Sequence, residues 1–291
     1  MDETPIVVVD LETGETRTLV VPEFGPGDAQ FAIAPIGGRI VFRGPSGTEA
    51  GAYVIDRDLE NDPVLLGKSW YFVPSATVGR VWLTTLDPDS PSTVRDLESV
   101  REVTVDGEVT VPETGPPPRA SIVGAVRQGL IVQKDGLQVW DPRTDRIVTR
   151  IDGVFPVDTS GDVVAWCDKG CPEIHLTDVA NGTDRVIEPP VGVTFSETYN
   201  GAFSPDDRFL AVPVRNEEGE QVAVIDVESL SARLVPNSGL SVYQLMTWST
   251  SGDWLVFDTG EGHLSMFHPD TGRSATIPLD PTKTFFSLTA L

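Results

Sequence analysis

Two cysteines four positions apart, three histidines and an aspartate that returns at a near-regular interval are the side chains of this chain with the most chemistry in them. Cys167 and Cys171, the only cysteines, flank Asp168-Lys169-Gly170 in the stretch AWCDKGCPEIHL. Placed on two strands joined by that turn, their Cα atoms would face each other about 4.5–5.5 Å apart, within disulfide range. A disulfide here implies an oxidising compartment. Two free thiols, or a redox or metal pair, are the competing readings, although zinc would need further ligands that no spacing supplies. His175 alternates with apolar strand residues, His263 sits in a turn, and His268 replaces a repeated aspartate. All three therefore read as structural. No G-x-S-x-G elbow, calcium loop or sialidase-type Asp box is present. No catalytic residue, metal ligand or cofactor is assigned.

The aspartates explain what positions these groups. A phrase of hydrophobic strand, Asp, polar turn and second strand recurs at Asp10, Asp56, Asp106, Asp141, Asp178 and Asp226, and once more at His268. The separations are 46, 50, 35, 37, 48 and 42 residues, averaging 43. A period of about 40–45 residues holding several short strands is the mark of a β-propeller blade. Asp at the end of such a strand caps backbone N–H groups of the turn that follows, so these carboxylates read as turn formers and not as a reactive ring.

A second marker shares the period: a tight turn into an apolar strand, at Gly38, Gly79, Gly129, Gly161, Asp207 and Gly252. Each blade thus orders itself as strand a, rich in small residues, then a turn, strand b, a loop, strand c ending in Asp, a turn, and strand d. The fold expected is all-β, a seven-bladed β-propeller of four-stranded antiparallel blades in a single domain spanning 1–291. Blades are expected near 30–67, 70–113, 120–151, 154–189, 199–236 and 244–279. The seventh is split: strands from residues 1–22 pair with a C-terminal strand within 285–291, closing the array without a free sheet edge.

With 44 acidic and 21 basic residues the net charge is −23, which disfavours nucleic acid as a partner because phosphate neutralisation needs clustered Lys and Arg. No apolar run approaches the roughly 18 residues of a membrane span. The first residues lack a secretory leader. Either the protein is cytoplasmic, or its leader or membrane tether precedes residue 1. A monomer is expected.

The b–c and d–a loops share one end of every blade, the usual place for a ligand. A long b–c loop carrying Asp87 and Asp89, and a Pro-rich d–a connection ending at Arg119, are candidates to overhang it. Phe24, Phe195, Tyr199 and Tyr243 fall in d–a connections, where they form either an aromatic rim or ordinary loop packing.

The phrases FSPDDRFLAV (203–212), VAVIDVES (222–229), TWSTSGDWLVFD (247–258) and LQVWDPRTD (137–145) resemble TolB-like and WD40-like bacterial propellers of extracytoplasmic type. That resemblance spans nearly the whole chain and implies a cell-envelope binding domain. The leading function is a non-catalytic module recognising a protein, peptide or envelope glycan. The alternatives are a lactonase- or lyase-like enzyme with a site at the central channel, for which Asp158 and Asn200 are the nearest polar candidates, and a sensor or assembly domain cut from a membrane-anchored protein.

Overall fold

The computed structural model describes residues 5–9, 16–20, 33–44, 50–87, 97–197, 201–217, 219–241, 245–259 and 263–278. Among them every regular element is a β-strand. The chain groups into two compact units, residues 1–134 with 140–146 and 291, and residues 135–139 with 147–290. Each is described in turn.

The first unit opens on a two-stranded hairpin, β1 (Pro5–Val9) against β2 (Thr16–Val20). Two full blades follow. The first is β3 (Ile33–Ile36), β4 (Arg39–Arg43), β5 (Gly51–Asp56) and β6 (Val64–Lys68). The second is β7 (Tyr71–Pro74), β8 (Arg80–Leu86), β9 (Leu97–Thr104) and β10 (Val109–Thr114). A third sheet runs β11 (Ser121–Val126), β12 (Gly129–Gln133), β13 (Leu137–Asp141) and β14 (Arg146–Ile151), and the division between the units passes through it.

The second unit holds β15 (Phe155–Ser160), β16 (Val163–Cys167), β17 (Ile174–Asp178) and β18 (Thr183–Ile187) as the fourth blade. The fifth blade adds a short β19 (Thr194–Phe195) to β20 (Ala202–Phe203), β21 (Phe209–Asn216), β22 (Gly219–Asp226) and β23 (Ser231–Leu234). The sixth is β24 (Met246–Trp248), β25 (Leu255–Asp258), β26 (His263–His268) and β27 (Arg273–Pro278). Every blade is an antiparallel meander in the a–b–c–d order that the repeat implies.

The fold is an all-β propeller of four-stranded antiparallel blades. Among the described residues it has six blades and not the seven expected. The miscount has a local cause. The copy ending at Asp10 supplies strands c and d only, and these form the two-stranded hairpin. The strand expected within 285–291 to complete it lies outside the described residues.

Alternation within strands builds the core between neighbouring blades. In the first unit Val41, Val54, Leu66, Val81, Leu83 and Val103 pack the first blade on the second. Trp82, Val100, Val111, Ile122, Leu130 and Trp140 form the next layer. In the second unit Ala165, Leu176, Ile187, Leu210, Val212 and Ile225 join the fourth blade to the fifth. Phe209, Val224, Trp248, Leu255 and Phe267 join the fifth to the sixth.

The Asp phrases make turns, as their position implies. Asp141 Oδ1 accepts the Arg143 N–H at 3.0 Å, Asp178 Oδ1 the Ala180 N–H at 2.9 Å, and Asp226 Oδ1 the Ser229 N–H at 2.8 Å. The Ser229 N–H and hydroxyl hold the Asp226 carboxyl below the usual carboxylate range, partly against burial. The same turns also receive the neighbouring blade. Arg39 reaches Asp106 at 2.8 Å, and Arg208 pairs in a fork with Asp270 at 3.1 and 3.4 Å. Arg17 donates to the carbonyl of Asp58, Arg185 to that of Val227, and Arg233 to that of Pro269. The planar guanidinium suits both the carboxylate and the exposed carbonyls of a tight turn. At this end the a–b turns crowd as well: a Cβ on Gly37 would stand 2.9 Å from the Gly79 Cα, so only glycine fits there.

Candidate functional site

Among the described residues, the opposite end of the blades, where b–c loops and d–a connections emerge, shows no such repetition. In the second unit it is built around Cys167 and Cys171, which form a disulfide with Cα atoms 5.1 Å apart. Cys167 ends β16. Cys171 lies in the turn before β17, and not on strand c as the sequence suggested. Its φ is +42°, it follows Gly170 at +88°, and its N–H donates to the Asp168 carbonyl at 2.9 Å. Both cysteines are fully buried while the tip 168–170 is exposed.

The d–a connection entering the fifth blade docks on this hairpin. Thr194 and Phe195 pair with Arg215 and Val214 as β19, an added strand above the blade proper. Phe195 is buried in the cluster that contains both cysteines, Ile174 and Val214. The Ser196 N–H donates to Pro213 O at 3.1 Å, and its hydroxyl donates to Glu220, which also accepts from Arg215 Nε at 2.6 Å. The Gly170 N–H at the hairpin tip donates to the Glu197 carboxylate. Phe195 is thus a core residue and not part of an aromatic rim, because pairing with β21 turns its ring inward.

In the first unit the corresponding end carries Arg43 stacked 4.4 Å over the Trp70 ring, and Ser99 bridging Thr85 at 2.7 Å and the Glu113 carboxylate. Asp87 is half-buried just beyond β8, and Arg119 is exposed at φ +60° in the connection into β11. Phe24, Asp89, Tyr199 and Tyr243 lie outside the described residues.

The innermost strands are joined by single polar links. The Tyr71 hydroxyl meets both the N–H and the carbonyl of Ile122 at 3.3 Å, and burial pushes its pKa up to about 12. In the second unit the Gly201 N–H donates to Val157 O at 3.1 Å, and Asp158 Oδ2 accepts the Phe203 N–H at 2.6 Å. Trp248 Nε1 donates to Ala202 O at 2.7 Å. Burial pushes the Asp158 carboxyl up to about 6; the Phe203 and Thr159 N–H groups oppose this, and the nearby Asp207 adds to it. Asp207 itself accepts the Ser160 hydroxyl. Among the described carboxyls Asp158 is pushed toward neutrality, with Ser160 and Asp207 beside it.

The histidines are tied down. His175 stacks on Trp166 with ring centroids 4.0 Å apart, and its Nδ1 is 2.7 Å from Asp184. His263 contacts the Thr259 hydroxyl, and His268 meets the edge of Trp254. Among the described residues no group of three or more His, Cys, Asp or Glu side chains is arranged to hold a metal.

Two carboxylates with defined partners were not singled out from the sequence. Glu197 carries no motif. Glu102 had a visible signal: it stands four residues before Asp106, where the other copies place Ala52, Leu137, Ile174, Val222 and Leu264. It is buried, and accepts from Ser75 Oγ and Thr110 Oγ1 at 2.7 Å and from Arg80 at 3.3 Å, with Arg143 at 3.7 Å.

A β-propeller with these features matches several solved structures, all of low identity. TolB from Acinetobacter baumannii superposes with a TM-score of 0.56 at 14% identity, covering 95% of this chain and 60% of that one. An oligogalacturonate lyase in complex with manganese gives 0.54 at 15%, covering 98% and 87%. A prolyl endopeptidase gives 0.61 at 18%, covering 96% and 47%. This chain therefore spans less than two thirds of the TolB chain. No protein-family model and no curated protein matches the sequence. At these identities the likeness shows the fold.

Proposed function

We propose that this propeller is a non-catalytic binding module of the extracytoplasmic space, recognising a protein, peptide or envelope glycan through the loop ends of its blades. The observation that carries the reading is how differently the two ends are used. At the turn ends, arginines and aspartates are consumed in holding one blade to the next. At the loop ends the described connections are unlike one another, and one is fixed in shape by a disulfide, an added strand and a buried aromatic. Such investment in a rigid surface connection suits recognition. The disulfide supports an oxidising compartment.

The test is site-specific photo-crosslinking in the cells that make the protein. Probes replacing Arg119, Lys169 or Glu217 at loop ends are expected to give discrete cross-linked species, and probes replacing Glu108, Asn181 or Glu228 at turn ends to give none. The reverse pattern would overturn the reading.

One observation favours a second reading. Asp158 sits on an innermost strand as a carboxyl poised near neutrality, which suits proton transfer, and oligogalacturonate lyase shares the fold. Incubation with oligogalacturonate, with and without manganese, would yield unsaturated product that Asp158→Asn abolishes. No product in either condition returns the case to binding.

A further inference from the structure

The connection formed by residues 188–197 is held at β21 and β22, through the Thr194–Phe195 pairing and the Ser196 bonds, and at the cysteine hairpin, through Phe195 and Glu197. Phe195 is buried in one cluster with Cys167, Cys171, Ile174 and Val214. The Glu197 carboxylate takes the Gly170 N–H at the hairpin tip. That N–H points at Glu197 because Gly170 and Cys171 adopt consecutive left-handed conformations, φ +88° and +42°. Glycine adopts this freely, whereas for cysteine it is uncommon. Cys171 is also bonded back to Cys167 across a separation of four residues. Away from the hairpin the hold is short: β19 is two residues long, Ser196 bonds Pro213 and Glu220 just after it, and Val191 and Gly192 stand exposed in the turn before it.

We infer that the 188–197 connection is a strap whose docking is conditional on the Cys167–Cys171 disulfide, so that reduction frees it and opens the edge of β21 at Pro213–Arg215. The reductant is a dithiol. Its thiolate attacks one cysteine sulfur, the S–S bond breaks, and a mixed disulfide forms. The second thiol of the reductant then displaces the protein sulfur, leaving two protein thiols and a cyclic disulfide of the reductant, with two electrons and two protons transferred. Because both sulfurs are buried, attack proceeds through opening of the exposed tip 168–170. Once the bond is cut, Cys171 relaxes from its left-handed conformation, the Gly170 N–H turns from Glu197, and the pocket around Phe195 loses a covalently fixed wall. The uncovered β21 edge then presents unpaired backbone groups beside an apolar pocket, the arrangement to which an extended peptide adds as a strand.

Hydrogen–deuterium exchange resolved to the strap tests this on the full chain. Treatment with dithiothreitol is expected to speed exchange of the Ser196 amide, which donates to Pro213 in the docked strap, tenfold or more, while segments within 246–278 stay unchanged. The Cys167→Ser/Cys171→Ser double variant is expected to show the same fast strap without reductant, and no further change when reductant is added. Strap exchange equal in the oxidised chain and the double variant would overturn the inference. So would a loss of protection spread evenly over all blades, since that would make the bond a support of the whole unit.

Discussion

The two ends of the blades obey different rules. At the turn ends one solution is used again and again: a carboxylate caps the c–d turn, and an arginine from the adjacent sheet lands on that turn. Asp226 with Ser229, and Arg208 with Asp270, are two instances of it. At the loop ends each connection solves its own problem. One is closed by a disulfide, one stacks Arg43 on Trp70, and one bridges Thr85 to Ser99. Repetition marks what every blade needs in order to stand beside its neighbour. Its failure marks where the chain is free to become specific.

Glu102 breaks the comparison most sharply, because it is a one-off residue built into the repeating framework. Glu102→Ala strips the buried acceptor from Ser75, Thr110 and Arg80, and is expected to cost about 2–3 kcal/mol. Urea titration would show a lowered midpoint at unchanged slope. A neutral result would mean that the network is decorative.

The loop-end disulfide comes next. Closing so short a loop is worth about 2 kcal/mol on the chain-entropy account. The Cys167→Ser/Cys171→Ser variant should lose about that much in the same titration. A loss no larger than a surface substitution would show the hairpin to be set by its turn alone.

Asp158 sharpens the comparison through pH. Its folded pKa of about 6 lies above the usual 3.8, so the native state takes up a proton before the unfolded chain does. Stability contributed here therefore rises as pH falls from 7 through 6 toward 4, and is lost again as pH rises. The side chain is only half-buried, so the expected gain is about 1 kcal/mol. Chemical denaturation across that range should show it, and Asp158→Asn should flatten it. An unchanged profile in the variant would remove Asp158 as the source.

The inter-blade arginines are individually small. Arg39→Ala and Arg208→Ala are each expected to cost less than about 1 kcal/mol, because their ion pairs are exposed. His268→Asp, which restores the carboxylate that every other copy carries, is expected to gain about 0.5 kcal/mol by capping the 269–272 turn. A fall in melting temperature for that variant would show His268 to be held by its contact with Trp254.

The framework was legible because its causes are local. Strand alternation, positive-φ turn residues and capping aspartates each leave a mark within a few positions, so the a–b–c–d order and the structural role of the Asp turns could be read directly. The count of six needed the structure: the phrase at Asp10, read as part of a split blade, supplies a two-stranded hairpin, and the C-terminal strand expected beside it lies outside the described residues. The loop ends were legible only where two residues had to meet within a short span, as at Cys167 and Cys171. The sequence left Phe195 between an aromatic rim and loop packing, because its burial depends on pairing with Val214, nineteen positions away and without a shared motif. Glu197 binds a backbone N–H, which no sequence pattern announces.

The direct test of a binding surface set on an independent scaffold is a double dissociation. Cross-linked yield from the Glu217 probe and melting temperature would be measured together for Asp168→Lys and Lys169→Glu at the loop ends, and for Arg39→Ala and Arg208→Ala at the turn ends. Loop-end changes should lower the yield at unchanged melting temperature, and turn-end changes should lower melting temperature at unchanged yield. Turn-end substitutions that abolish cross-linking in a still-folded protein, with the loop-end pair leaving it intact, would contradict the account.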